Sequence, residues 1–186
     1  MVTDAASLTD GLRAVLTENR VSVHGPVPPV DAAEHVVGRA LVHANGAPVA
    51  VSPADRLVAE LDVVDHLRAA GTAVLLPGDD DWRERITVAA LGITGASLAV
   101  AETGSLALAA GVGSPRAVSL LPPVHLCLVA VDDIVATFAD GIARVASVPL
   151  PSALTWVGGP SRTGDLEMIT TLGVHGPSAV EVVLVS

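Results

Sequence analysis

The sequence predicts an α/β fold, a mainly parallel sheet flanked by helices, and three observations predict it. Apolar residues make up 51% of the 186 and come mostly from Ala, Val and Leu, the usage of Val-rich buried strands packed beside Ala- and Leu-rich helices. Short apolar runs alternate along the chain with segments of helical periodicity. The length fits one domain that buries roughly 70% of the surface its unfolded form exposes. Such a core holds without disulfides or a structural metal.

Residues 4–19 read as a first helix, with Leu8, Leu12, Val15 and Leu16 on one face. A proline-containing connector, residues 24–29, follows. Asp31 caps a second helix, in which Ala32, His35, Val36, Arg39, Ala40 and His43 share a side and which Asn45-Gly46 ends. Residues 1–45 are therefore expected to form an N-terminal helical cap on an α/β domain of residues 46–186. Within that domain, residues 47–51 read as a strand, and Ser52 or Asp55 caps a third helix that runs to Ala70. Gly71 sits where a C-terminal cap belongs. Residues 73–76 read as a strand that stops at Pro77-Gly78, and strand-like pieces follow at 96–102, 105–109, 117–121 and 125–131. Asp132-Asp133 opens a helix to about Val145; residues 154–157 read as a strand, 165–172 as a short helix and 180–185 as the last strand.

Composition excludes several classes of function. The longest apolar stretches, 88–101 and 118–131, are about 14 residues long, whereas a bilayer span needs roughly 20. No basic residue precedes an apolar region at the N-terminus, so no secretory signal is expected. One cysteine, Cys127, allows no internal disulfide, and a cytoplasmic setting is expected. The net charge of −10, with ten scattered arginines, argues against nucleic acid, whose phosphates are held by clustered Lys and Arg. The chain has no lysine and no tyrosine. Schiff-base catalysis, a P-loop lysine and a tyrosine acid are thereby excluded.

The most informative segment runs from Thr155 through Gly158, Gly159, Ser161, Arg162, Thr163 and Gly164 to Asp165 and Glu167. Read as strand, Gly-rich turn and helix N-terminus, it aims free N–H groups at one point, and Arg162 adds a cation able to grip a carboxylate or phosphate with two bonds. The alternative is a plain strand-to-helix turn, in which Asp165 caps the helix and Arg162 pairs with Asp165 or Glu167. Gly159 and Gly164 have Walker A spacing, but Asp165 stands where a lysine belongs. Gly111 to Arg116 begins like a dinucleotide fingerprint yet lacks its last glycine.

A second segment, Glu102-Thr103-Gly104, ends an apolar strand, and glycine there lets backbone approach a ligand. Glu102 is either a base or nucleophile or a structural acceptor for loop N–H groups. His125, after Pro122-Pro123, and His175, in a Gly-Val-His-Gly-Pro turn, are either hydrogen-bonded structural residues or neighbours of that ligand. The six histidines show no zinc spacing, and the run Asp79-Asp80-Asp81 reads as a solvated loop. No metal site is expected. Ser161, Arg162, Thr163 and Glu102, with Thr103, Gly104, Gly159 and Asp165, are expected to line one pocket at the carboxyl ends of the strands, with His125 or His175 nearby.

Taken in order, Ala-Glu-Thr-Gly-Ser at 101–105, Leu-Leu-Pro-Pro-Val-His at 120–125, Gly-Pro-Ser-Arg-Thr-Gly-Asp-Leu-Glu at 159–167 and Gly-Val-His-Gly-Pro at 173–177 resemble the lactate-utilisation protein C family, that of the LUD domain. The resemblance covers about residues 30–186; Gly164 stands where the family more often has alanine. It implies a fold similar to ribose-phosphate isomerases, glucosamine-phosphate deaminases and CoA transferases. It also implies an accessory role in oxidising L-lactate to pyruvate, alongside an iron–sulfur subunit and a cysteine-rich subunit. The residues add a constraint: removing two electrons from lactate needs a flavin, nicotinamide or metal centre, and an all-cysteine iron–sulfur cluster takes four thiolates. With one cysteine, this chain is expected to bind no cofactor alone and to position a small carboxylate or phosphate. Two other readings stand beside this one. In the first, Glu102 is the nucleophile of a stand-alone acyl-CoA transferase or sugar-phosphate enzyme, since Ala-Glu-Thr-Gly is similar to the Ser-Glu-Asn-Gly loop of CoA transferases. In the second, the chain senses a carboxylate through Arg162.

Overall fold

The computed structural model describes residues 4–164, 170–173 and 175–186. Helix α1 (Ala5–Glu18) begins where the Asp4 carboxylate accepts the Ser7 N–H at 2.7 Å, which satisfies one free donor of the first turn. The chain then enters β1 (Ser22–Val27), which pairs in parallel with the C-terminal strand through Ser22↔Glu181 and Val23↔Val182. The expected connector is thus an edge strand. Pro26 had argued against a strand, but an edge position has an open side on which a missing N–H breaks no ladder. Helix α2 (Pro29–Ala44) buries Ala32, Val36 and Ala40 against the same sheet, and left-handed Asn45 ends it. Within residues 4–45, β1 joins the parallel sheet and α1 and α2 pack on it.

The next elements follow the expected order with several corrections, among them the helix expected from Asp132-Asp133, which begins only at Phe138 after a short strand at Ile134–Val135. After β2 (Val49–Val51) come α3 (Arg56–Glu60) and α4 (Val63–Ala69), two helices broken at left-handed Asp62 where one was expected. β3 (Val74–Leu75), α5 (Trp82–Arg85), β4 (Leu91–Gly95), β5 (Leu98–Val100) and β6 (Ser105–Ala110) lead to α6 (Ala117–Leu120). Residues 117–120 were expected as a strand; Pro115, whose carbonyl accepts the Val118 N–H, starts a helical turn there. β7 (Val124–Ala130), β8 (Ile134–Val135), α7 (Phe138–Ala146) and β9 (Ala153–Val157) follow. Then β10 (Arg162–Gly164) and β11 (Thr170–Leu172) form an antiparallel pair before β12 (Ala179–Val185). The helix expected at 165–172 is thus a strand over 170–172, while residues 165–169, with the Asp165 cap, lie outside the described residues.

Six strands make one sheet in the order β1-β12-β7-β4-β2-β3, and every pairing in it is parallel. Their amino ends share one edge and their carboxyl ends the other. Alternation along β7 builds both faces: Leu126 and Leu128 pack with α2, α3 and α4, and Cys127 and Val129 pack with α1 and a smaller sheet. That sheet has the order β8-β5-β6-β9. Its far face meets α7, where the Phe138 and Trp156 rings lie 4.8 Å apart.

One carboxylate is buried at the sheet margin. Glu181 of β12 takes two bonds from Arg39, at 2.9 and 2.7 Å, and one from His43 at 2.8 Å, with His24 Nε2 at 3.3 Å. Burial alone would push this carboxyl up; the bonds from Arg39 and His43 outweigh it and hold it at about 2.

Candidate functional site: a cleft at the carboxyl edge

A cleft of about 630 Å3 opens at the carboxyl edge of the parallel sheet. Its walls come from the turns after β2, β4 and β7, the end of β6, and the segment from α7 to β9. This is where ligands sit in open α/β sheets.

Asp55 stands at the N-cap of α3, yet its carboxylate does not cap the helix. It accepts the Gly95 N–H at 2.8 Å and the Ser114 hydroxyl at 2.5 Å, tying the β2 turn to the end of β4. Burial pushes its pKa above the ordinary carboxylate value, against the pull of those two bonds. Beside it, Arg56 and Arg144 bind the two oxygens of Asp133, one each. Arg56 also reaches Glu60 at 2.9 Å. The Asp133 side chain is only 12% exposed, whereas Arg56 and Arg144 are 55% and 45% exposed. A guanidinium carries five N–H donors, so both arginines keep donors for an outside acceptor. Leu98, Val145 and Val148 belong to the apolar part of the wall.

At the second residue of β7, the His125 ring is buried, with Nε2 at 2.8 Å from the Thr94 hydroxyl. Burial pushes its pKa down to about 4, so the ring is neutral at pH 7. Cys127 is fully buried, and burial pushes its thiol up to about 12, which keeps it in the unreactive thiol form. Among the described residues, no group of three or more His, Cys, Asp and Glu is placed to hold a metal ion.

The residues singled out from the sequence lie at the opposite edge. Arg162 donates to the carbonyl of Asn19, three residues before β1. Ser161 donates its N–H to the Pro177 carbonyl at 2.9 Å, two residues before β12, and its hydroxyl accepts the His175 N–H at 3.2 Å. Gly159 lies against the Asn19 carbonyl, and the Asn19 amide reaches the Thr103 carbonyl at 3.5 Å. Gly104 has a φ of +66°, which the tight β5–β6 turn requires and side chains disfavour.

The structure thus brings Thr103, Gly104, Gly159, Ser161, Arg162 and His175 together around the end of α1, at the amino edge of the sheet. Thr163 takes part through its backbone in β10. Glu102 accepts the Phe138 N–H at 2.9 Å and so serves the start of α7. β6 runs from Ser105 beside this cluster to Ala110 at the cleft, a span of about 17 Å at roughly 3.4 Å per residue. The single pocket expected at the carboxyl edge is therefore corrected. An anion loop there needed a helix N-terminus at the turn, and Arg162 instead enters a strand.

The cleft residues Asp55, Arg56, Asp133 and Arg144 escaped the sequence reading. Asp55 and Asp133 had been absorbed as helix-opening residues. The signal that points to Asp55 is its place in the turn after a buried strand, Val49-Ala50-Val51. Arg144, in mid-helix, had no local signal.

Comparison with known proteins places the chain. Lactate utilization protein C of Deinococcus radiodurans is 43% identical over 96 residues, which are 50% of this chain and 45% of that protein. The protein of the same name from Bacillus subtilis strain 168 is 37% identical over 101 residues, 52% of this chain and 42% of that protein. Each match spans less than half of the relative's length. A DUF162 family protein of Deinococcus radiodurans, known as a crystal structure, matches 98% of this chain and 99% of its own with a TM-score of 0.73 at 23% identity, a likeness of fold. The LUD domain family model matches residues 1–185, and the chain belongs to the LUD domain family.

Proposed function

We propose that this chain serves lactate utilisation as a component that binds a small carboxylate anion in the carboxyl-edge cleft, while the electrons pass to an iron–sulfur partner. The observation that carries this reading is the pair of half-exposed guanidiniums, Arg56 and Arg144, fixed side by side on Asp133 in the cleft wall. A planar cation with spare N–H groups is the side chain suited to gripping a carboxylate. The relatives' names supply the setting. Composition supplies the division of labour: one buried cysteine cannot furnish the four thiolates of a cluster, and lactate oxidation needs a redox centre.

An iron–sulfur subunit and a cysteine-rich subunit are the proposed partners. Beside the cleft, Val112 is fully exposed and Val148 and Leu150 largely so, apolar surface of the kind that a partner covers. The cleft is also roomier than a three-carbon acid requires, which leaves space for the partner's electron acceptor to approach. The acyl-transfer reading loses its support in geometry, since the Glu102 carboxylate is engaged by a helix N–H away from the cleft.

Reconstitution tests the proposal. The chain alone is expected to oxidise no lactate with an artificial electron acceptor, and the mixture with the iron–sulfur subunits is expected to do so. Arg144→Ala should lower that activity about ten-fold or more through the lost charged bonds. Unaided turnover by the purified chain would contradict the division of labour; indifference to both Arg56→Ala and Arg144→Ala would contradict the site.

A further inference from the structure

We propose that Asp55 makes the cleft selective for a 2-hydroxycarboxylate over the corresponding 2-ketocarboxylate. The inference rests on the reading that the cleft binds a carboxylate, and it concerns the atoms next to that carboxylate. The cleft wall carries two guanidiniums, Arg56 and Arg144, and two carboxylates, Asp133 and Asp55. Asp133 is spoken for, with one arginine on each oxygen. Asp55 is not. Each of its oxygens accepts a single bond, one from the Gly95 N–H and one from the Ser114 hydroxyl, and a carboxylate has about four acceptor sites. Both oxygens already accept from the protein, so what the group presents to a ligand is its remaining acceptor sites.

That arrangement fixes what the ligand must present. Its carboxylate goes to the spare N–H groups of the arginines. Asp55 at the N-cap of α3 and Arg56 in its first turn both line the cleft, so the same wall offers an acceptor as well as a cation for the head group. A hydroxyl on the neighbouring carbon can donate to Asp55. A ketone oxygen in that position is a second acceptor facing a carboxylate, and it leaves both without a proton between them. A partly buried site sharpens the contrast, since an unmade or repulsive polar contact there is not relieved by water. A ligand bearing both a carboxylate and a donor matches the two kinds of group in the wall.

The test is calorimetric titration of the purified chain with L-lactate and with pyruvate at neutral pH, before and after Asp55→Asn. The wild-type chain is expected to bind lactate about ten-fold or more tightly than pyruvate. Asparagine both donates and accepts, so Asp55→Asn should bring the two affinities to within about three-fold. Equal affinities or a pyruvate preference in the wild type, or an unchanged ratio in the folded variant, overturn the assignment of Asp55 and leave the cleft reading standing. Failure of both acids to bind overturns the cleft reading and this inference together. The wild-type ratio needs no variant, so the proposal stays exposed to refutation even if Asp55→Asn does not fold.

Discussion

Replacing Glu181 by glutamine removes the only charge partner that holds Arg39, His43 and His24 at the α2 side of the sheet, among the described residues. The size of the effect follows from the carboxyl itself, held at about 2 in the folded chain against 4.5 for a free glutamate. At about 1.36 kcal/mol per pH unit, the ionised form carries about 3 kcal/mol of folding free energy. The sign is set by the direction of the shift. The folded-state pKa lies below the unfolded one, so the contribution is complete above pH 4.5 and is lost as the pH falls toward 2. Glu181→Gln should therefore be about 3 kcal/mol less stable at pH 7, in the range found when one partner of a buried ion pair is removed. The gap between wild type and variant should narrow steadily below pH 4.5. Urea unfolding followed by circular dichroism across that pH series measures both. A difference under about 1 kcal/mol at pH 7, or one that keeps its size down to the lowest pH, would refute the reasoning.

Other positions make sharper local predictions. A methyl group on Gly92 would sit 1.8 Å from the Val118 carbonyl of α6, so Gly92→Ala should destabilise the chain by about 3 kcal/mol or more, read by thermal unfolding. Thr137 and Asp140 form a reciprocal capping box at the start of α7; Thr137→Ala should lower stability by about 1 kcal/mol in the same assay. Cys127 should resist alkylation by iodoacetamide at pH 8 in the folded chain and react fully after denaturation, because its thiol is buried and pushed up to about 12. Mass spectrometry reads the outcome, and rapid labelling of the native chain would contradict the packing around β7.

The fold was legible where periodicity and burial agree. The face of α1, the strands at β6, β7, β9 and β12, and the stop of α2 at Asn45 all follow from local pattern. The errors lie where tertiary context overrides local rules. Pro26 sits on a sheet edge that tolerates it, and Asp62 breaks a helix whose apolar periodicity runs through it. Residues 117–120 are apolar enough for a strand but wind into a turn between prolines. The site was less legible than the fold for a physical reason. Glycine-rich, arginine-bearing turns stand out in a sequence because their residue types are unusual. The cleft is assembled from Asp55, Arg56, Asp133 and Arg144, which are ordinary residues of helix starts and helix faces, and only the parallel sheet brings them together.

The most direct test of the central claim is to locate the ligand, by titrating isotope-labelled chain with L-lactate and following backbone amide resonances. The cleft account predicts saturable shifts at Gly95, Ser97, Gly111 and Ser114, abolished when Arg56 and Arg144 are both changed to alanine, with Thr103, Ser161 and His175 unmoved. Shifts concentrated on Thr103, Ser161, Arg162 and His175 would contradict it and move the binding site to the amino edge of the sheet.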